Sequence, residues 1–430
     1  MNRERPLVQT KWRASAARWL FRAALLLTLA VEARAAEDFL DAVEQALSFA
    51  SSDGQLRARF SGTVELEAYT FPGPAPWLLQ SDEGTLVAPR LTAFLDAQWG
   101  PHVYAFVQAR ADRGFDPTDG DGEARLDEYA VRVTPWLDSR LNVQLGKFAT
   151  VVGSWAARHG SWTNAFITAP MAYESLTGMW DTEAIRFSTV LLQWSHVRPG
   201  LPAAVTAIEK SLRIPVIWGP SYAIGAAVSG ELRRFQYAFE VKQGSLSSRP
   251  EAWDDMKGVW EHPTVSGRLG LRASEAWNFG VSASTGTYLR LLARPGIPAG
   301  RGLGDYRQTV LGHDISYAHR HLQVWAEVFV SRFEIPVVGH ADMLSYYVEA
   351  KYKFTPQFFG ALRWNQQLFD TIRERGRFRE WGHEAWRIDA GPGYRFTAHT
   401  QLKFQYSVQR GDAPGRKLAH TGAGQFTLRF

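Results

Sequence analysis

The chain has 430 residues, 45% of them hydrophobic and 13% aromatic, with 48 Lys and Arg against 43 Asp and Glu and no cysteine. The lack of cysteine excludes thiolate chemistry and cysteine-ligated metals, and it suits a chain that crosses an oxidising periplasm unfolded. No apolar stretch after residue 35 approaches the roughly 18 residues of a membrane-spanning helix, so a membrane-embedded form has to be a closed β-barrel.

In residues 1–35, Arg3, Arg5, Lys11, Arg13, Arg18 and Arg22 precede or open an apolar run from Ala23 to Val31, and Ala33-Arg34-Ala35 supplies a small-x-small pattern. A secretory signal peptide cut after Ala35 is expected. It holds seven basic and two acidic residues, which leaves 41 of each (48 less 7, 43 less 2) in residues 36–430. The basic balance belongs to the leader, so no nucleic-acid partner is expected. In 36–56, Phe39, Leu40, Val43, Ala46, Leu47 and Phe49 recur at helical spacing between acids, and a short amphipathic helix is expected over 37–50.

From Arg57 onward the period changes to two. Val64, Leu66 and Ala68 face away from Thr63, Glu65 and Glu67; Leu91, Ala93, Leu95 and Ala97 oppose Arg90, Thr92, Phe94, Asp96 and Gln98. Beyond Gly100-Pro101, Val103, Ala105, Val107 and Ala109 oppose Tyr104, Phe106, Gln108 and Arg110. These are strands with unlike faces. Further strands are expected near 125–135, 140–148, 212–230, 234–244, 264–273, 277–287, 306–317, 321–332, 343–354, 357–368, 384–396, 400–409 and 420–430, sixteen in all.

Short connections fall near Gly100, Trp136, Gly230, Glu275, His319, Pro356 and Ala398, and long ones over 71–88, 113–124, 149–211, 245–263, 288–305, 334–342, 370–383 and 410–419. Seven turns and eight loops fit an all-β fold, an antiparallel transmembrane β-barrel of 16 strands over 57–430 with both ends in the periplasm. Ala184–Trp194 and Ala203–Leu212 could add two strands, which makes 18 the alternative. The helix ahead of the barrel would sit in the lumen or at the periplasmic rim.

Trp99, Trp136, Trp277, Phe354, Phe358, Phe396 and Phe430 lie beside the short turns, as an interfacial girdle would, and Tyr69, Tyr288, Tyr306, Phe333, Trp386 and Tyr406 could form the other girdle. In the last strand Phe426, Leu428 and Phe430 alternate with Gln425, Thr427 and Arg429. This resembles the terminal strand of Gram-negative outer-membrane barrels, and the resemblance implies the outer membrane as location and the barrel assembly machinery as a partner that reads Phe430.

The inward face carries Glu65, Glu67, Asp96, Arg110, Arg132, Glu240, Lys242, Arg268, Arg272, Glu327, Glu349, Lys351, Arg363, Arg387, Asp389, Arg395 and Lys403. So many charges cannot share a dry core, and they imply a hydrated lumen whose wall filters ions. The Gly, Ser and Gln between them are too small to plug so wide a barrel. Loop 149–211, the third external one, is far longer than its neighbours. Trp155, Arg158, His159, Trp162, Asn164, Glu174, Trp180 and Asp181 give it the mixed chemistry of a pore constriction.

At Leu145-Gly146-Lys147-Phe148, leading into Val152-Gly153, the strand exit resembles the phosphate-selective porin O and P family. The resemblance implies a porin that passes small hydrophilic solutes or ions, with trimers as in other sixteen-strand porins. The coiled-coil leader of that family is missing. Enzymatic motifs are sparse: His383-Glu384 lacks the second histidine of a zinc-protease helix, and no G-x-S-x-G or phosphate-binding loop occurs. No cofactor, metal or catalytic residue is expected. A barrel enzyme, with Asp314 beside His313 or His340 near His383, and a surface adhesin are the alternatives.

Overall fold

Each strand turns apolar side chains outward and polar ones inward, and that alternation closes the chain into a ring. The computed structural model describes residues 38–71, 75–79, 81, 84–114, 122–192, 210–254, 259–410 and 418–430. The signal expected at 1–35 and most of 193–211 lie outside the described residues. The strands are β1 (Ser48–Ala50), β2 (Leu56–Thr70), β3 (Thr85–Trp99), β4 (Val103–Asp112), β5 (Glu123–Val133), β6 (Asn142–Phe148), β7 (Ala223–Leu232), β8 (Phe235–Lys242), β9 (Thr264–Arg272) and β10 (Trp277–Thr287). They continue with β11 (Arg307–His319), β12 (Leu322–Ile335), β13 (Gly339–Lys353), β14 (Phe358–Phe369), β15 (Thr371–Glu374), β16 (Arg377–Glu380), β17 (Ala385–Arg395), β18 (Thr400–Arg410) and β19 (Ala419–Arg429).

Sixteen of these pair antiparallel with their neighbours, and β19 returns to β2 from Arg429↔Thr63 to Gly422↔Thr70, so the barrel has no free edge. β15 and β16 make a separate hairpin in one external loop. Where β19 ends, β1 takes over the edge of β2, from Ser48↔Arg59 to Ala50↔Arg57. β6 pairs directly with β7, Asn142 opposite Ser229, so no further strands enter between them and the eighteen-strand alternative falls.

Leu91, Leu145, Leu269, Leu311, Val330, Leu362 and Phe404 are exposed on the outside of the ring. A continuous apolar outer face of this kind is matched by lipid rather than by water. Trp99, Trp136, Trp277, Phe354, Phe358 and Phe396 are exposed at the short-turn end, where the girdle was expected. At the opposite end the expectation needs correction. Tyr69, Tyr288, Tyr306 and Phe333 are buried inside the barrel, and only Tyr406 among the six residues of that set is strongly exposed. Tyr69 shares the parity of Glu65 and Glu67, which turns it inward.

Two boundaries also differ. The strand expected from 212 begins at Ala223, and residues 212–222 continue the third external connection into the lumen, where Ile214, Val216, Ile217 and Trp218 are fully buried. The alternation read there comes from packing against protein, and Pro215 cannot donate to a strand ladder. The loop expected at 334–342 shrinks to residues 336–338, because β12 and β13 run on past it.

Helix α1 covers residues 38–46 at the short-turn end. It lies at the rim: Glu44 pairs with Arg59 on β2, and Asp41 meets His399 in the β17–β18 turn. The described residues 149–192 and 210–222 fold inward and carry α2 (Met171–Glu174) and α3 (Ser188–Leu192).

Candidate functional site

The inward segment divides the lumen into a filled side and an open side. On the filled side Val152, Tyr173, Met179, Ile214, Val216 and Trp218 pack with Val310, Phe329, Phe333, Met343 and Tyr347 of β11–β13 in one apolar cluster. The bulk that the small inner-face residues could not provide therefore comes from the loop. On the open side a cavity of about 520 Å³ lies between β2–β4 and residues 155–174.

Its lining on β2 runs from Arg59 to Tyr69. That is roughly 33 Å of strand and about 25 Å of barrel height after tilt, close to the apolar thickness of an outer membrane. At one end it is bordered by Glu44, Arg59, Arg429 and Phe430, and at the other by Leu78, Leu79, Arg113, Gly219 and Pro220.

The wall of this cavity is a chain of alternating charge. Arg90 donates from Nη1 to Glu65 (3.0 Å) and Glu67 (2.9 Å) and from Nε to Asp112 (3.0 Å). Arg125 joins Asp112 (2.7 Å) to Asp127 (2.9 Å), and Arg110 closes on Asp127 at 3.0 Å. The alternation in sequence places Arg90 on the polar face of its strand, but it does not single out Arg125, Asp112 or Asp127. In β5 the cause is a register shift opposite Gln108 and Ala109, where Glu128 pairs with Gln108 and Leu126 with Ala109. Asp127 is the extra residue of a β-bulge, so parity counted back from Arg132 points Arg125 and Asp127 the wrong way.

An irregular segment inside a barrel has backbone groups that need partners, and the charged wall supplies them. Glu327 accepts the N–H groups of Ser154 and Trp155 and the Tyr173 hydroxyl. Lys403 donates to the carbonyls of Ser161 (2.7 Å), Asn164 (3.2 Å) and Phe166 (3.3 Å). Arg363 donates to the carbonyls of Thr168 and Ala169 while pairing with Asp389 and Glu349. Arg387 holds Glu174 at 2.5 Å and Asp389 at 3.0 Å. Glu240 accepts from Thr150 and Val151, and Lys242 donates to the Phe148 carbonyl.

Three wall residues bond instead to neighbours within the wall. Arg268 meets Asp314 at 2.7 Å, Arg132 donates to Gln144, and Asp96 accepts from Tyr104. Of the fourteen wall residues other than Arg272, Lys351 and Arg395, only Glu65, Glu67 and Arg110 border the cavity.

Of the loop residues, Trp155, His159, Trp162, Asn164 and Glu174 border it. Trp162 carries two guanidinium groups over its ring, Arg395 at 4.8 Å and Arg429 at 4.5 Å. His159 donates from Nδ1 to the Ala156 carbonyl and accepts at Nε2 from Tyr222 (2.7 Å). Burial, with Arg110 nearby, pushes its pKa down to about 4, so it is neutral at pH 7. Burial lifts the Glu174 carboxyl above its ordinary range against the pull of Arg387.

Arg158, Trp180 and Asp181 do not border the cavity. Arg158 reaches Glu349 and Tyr347, Trp180 lies under Arg213, and Asp181 pairs with Arg249 at 2.5 Å. Lys147 is committed to the Leu126 carbonyl (2.8 Å) and Asp254 (2.6 Å).

No protein-family model matches the sequence, and no curated protein does. Solved structures are similar at the level of the fold. The outer-membrane channel DcaP of Acinetobacter baumannii superposes with a TM-score of 0.55 at 10% identity over 89% of this chain and 99% of its own. OmpF of Salmonella typhi, solved with daunomycin, gives 0.54 at 10% identity over 89% and 100%. The anion-selective porin from Comamonas acidovorans gives 0.53 at 10% identity over 87% and 100%. The barrel has the fold of the outer-membrane porins.

Proposed function

We propose that the protein is a porin of the Gram-negative outer membrane, through which small hydrophilic solutes or ions diffuse along the β2–β4 side of the lumen. The observation that carries this is the cavity whose lining follows β2 from Arg59 to Tyr69, with charged groups on the wall and His159, Trp162 and Asn164 facing it. Charged and polar groups spaced over that height are what a hydrated path needs, and it requires no cofactor or energy source. Residues 155–174 narrow the path, and the wall charges that hold them serve selectivity indirectly, by fixing their position.

Removal of residues 1–35 as a signal, assembly through the strand that ends at Phe430, and trimers like those of other porins belong to the same proposal. A phosphate preference like that of the family the Gly146-Lys147 strand exit resembles gains no support, because Lys147 is bound to a carbonyl and a carboxylate away from the cavity. The barrel-enzyme reading gains none at Asp314, whose carboxylate is held by Arg268.

The test is conductance in planar bilayers by the purified, heat-modifiable protein. Stable ohmic steps are expected, and they should grow when residues 155–180 are deleted. Folded protein that passes no current would overturn the proposal.

A further inference from the structure

His399 sits in the β17–β18 turn and is almost fully buried. Its Nδ1 lies 2.9 Å from the Arg429 carbonyl, an acceptor, so Nδ1 carries the hydrogen. The turn is fixed around it: Thr397 Oγ1 accepts the N–H groups of His399 and Thr400, and Arg429 donates from Nε to the Ala398 carbonyl. The other ring nitrogen, Nε2, faces Asp41 Oδ1 at 2.8 Å. A third donor is in place, since Glu44 lies one helical turn beyond Asp41 on α1. One ligand atom from each of Asp41, Glu44 and His399 lies within 4.8 Å of the others.

We propose that Asp41, Glu44 and His399 form a site for one first-row divalent cation of the Zn²⁺ type at the short-turn end of the barrel. An imidazole whose far nitrogen donates to a backbone carbonyl, joined by two carboxylates, is the donor set such ions take, and water completes the coordination. Imidazole is a poor ligand for Ca²⁺ and Mg²⁺, which favour oxygen-only sites. The carboxylates sit on the surface of a short helix and can close the remaining ångströms by side-chain rotation, while the histidine is held by the barrel. Arg59 now occupies Glu44 and competes with the ion for it. Bound metal would fasten α1 to the barrel across the border of the cavity, where Glu44 already stands.

The inference does not depend on conduction, and its test is direct. The full chain, folded in detergent micelles and checked by heat-shifted migration, is titrated with ZnCl₂ by calorimetry. One equivalent should bind, without competition from millimolar Mg²⁺ or Ca²⁺. Asp41→Asn and Glu44→Gln should each weaken binding by about tenfold or more, and both leave the barrel wall untouched. Arg59→Gln should tighten it by releasing Glu44. No saturable binding would mean that a proton alone bridges His399 and Asp41, and would overturn the site. Unchanged affinity in both carboxylate variants would overturn it equally.

Discussion

Arg158 Nη1 in the inward segment meets Glu349 Oε1 on β13 at 2.8 Å, with the guanidinium 4.5 Å from the ring centre of Trp325. The segment leaves the wall at β6 and rejoins it at β7, and β13 is six to seven strands further round a ring of sixteen. This pair therefore spans the lumen almost to the opposite wall. With Lys403 and Arg363 it makes the segment a fixed partition.

Replacing Arg158 with alanine removes bonds to Glu349 and Tyr347. Glu349 keeps Arg363, so the loss should be about 1–3 kcal/mol. The temperature of the heat-induced gel shift should fall, and single-channel current noise should rise. Unchanged noise would mean that the partition is held without Arg158.

Gly153 turns the chain toward Glu327 with φ +74°, and a Cβ there would lie 2.5 Å from the Tyr173 hydroxyl and 2.9 Å from Glu327 Oε1. Gly153→Ala should cost about 1–3 kcal/mol. It should open sites in 155–174 to proteolysis that are closed in the parent protein.

The barrel was legible because each transmembrane strand obeys one rule, apolar to lipid and polar to the lumen. In β18 and β19 Phe404 and Phe426 face out, while Lys403 and Gln425 face in. The rule fails where a segment touches protein on both sides. Ile214 to Trp218 mimic a strand because they are buried in the lumen, and Tyr69 and Phe333 mimic a girdle because they pack on the inward loop side. Asp127 escapes it because a bulge resets the count. The placement of Trp155, His159, Trp162, Asn164 and Glu174 on one cavity depends on contacts more than a hundred residues apart in sequence, such as Lys403 with the Ser161 carbonyl. No local pattern records such contacts.

His159 supplies a pH dependence. Its folded pKa of about 4 lies below the ordinary 6.5, so the unfolded chain binds the proton more readily. The stability this neutral ring contributes is complete above about pH 6.5 and is lost as pH falls toward 4. Arg90, Arg110, Asp127 and the Tyr222 hydroxyl surround it. His159→Gln should flatten the decline in thermal stability between those pH values relative to the parent. An identical slope would show that another group is responsible.

The lipid-facing assignment is tested at Leu311, which is 57% exposed on β11 between Ala283 and Val330. Leu311→Arg should destabilise the barrel folded into vesicles by about 2–4 kcal/mol, measured by urea titration. A change near zero would place this face in water.

The path itself is tested most directly by cysteine labelling, since the chain has no cysteine of its own. Thr63 borders the cavity on β2 and is half-buried, whereas Ser331 on β12 is fully buried on the filled side. A charged thiol reagent added to Thr63→Cys in a conducting bilayer should reduce the single-channel current, and Ser331→Cys should not respond. Current unaffected at Thr63→Cys but reduced at Ser331→Cys would contradict a passage along β2–β4.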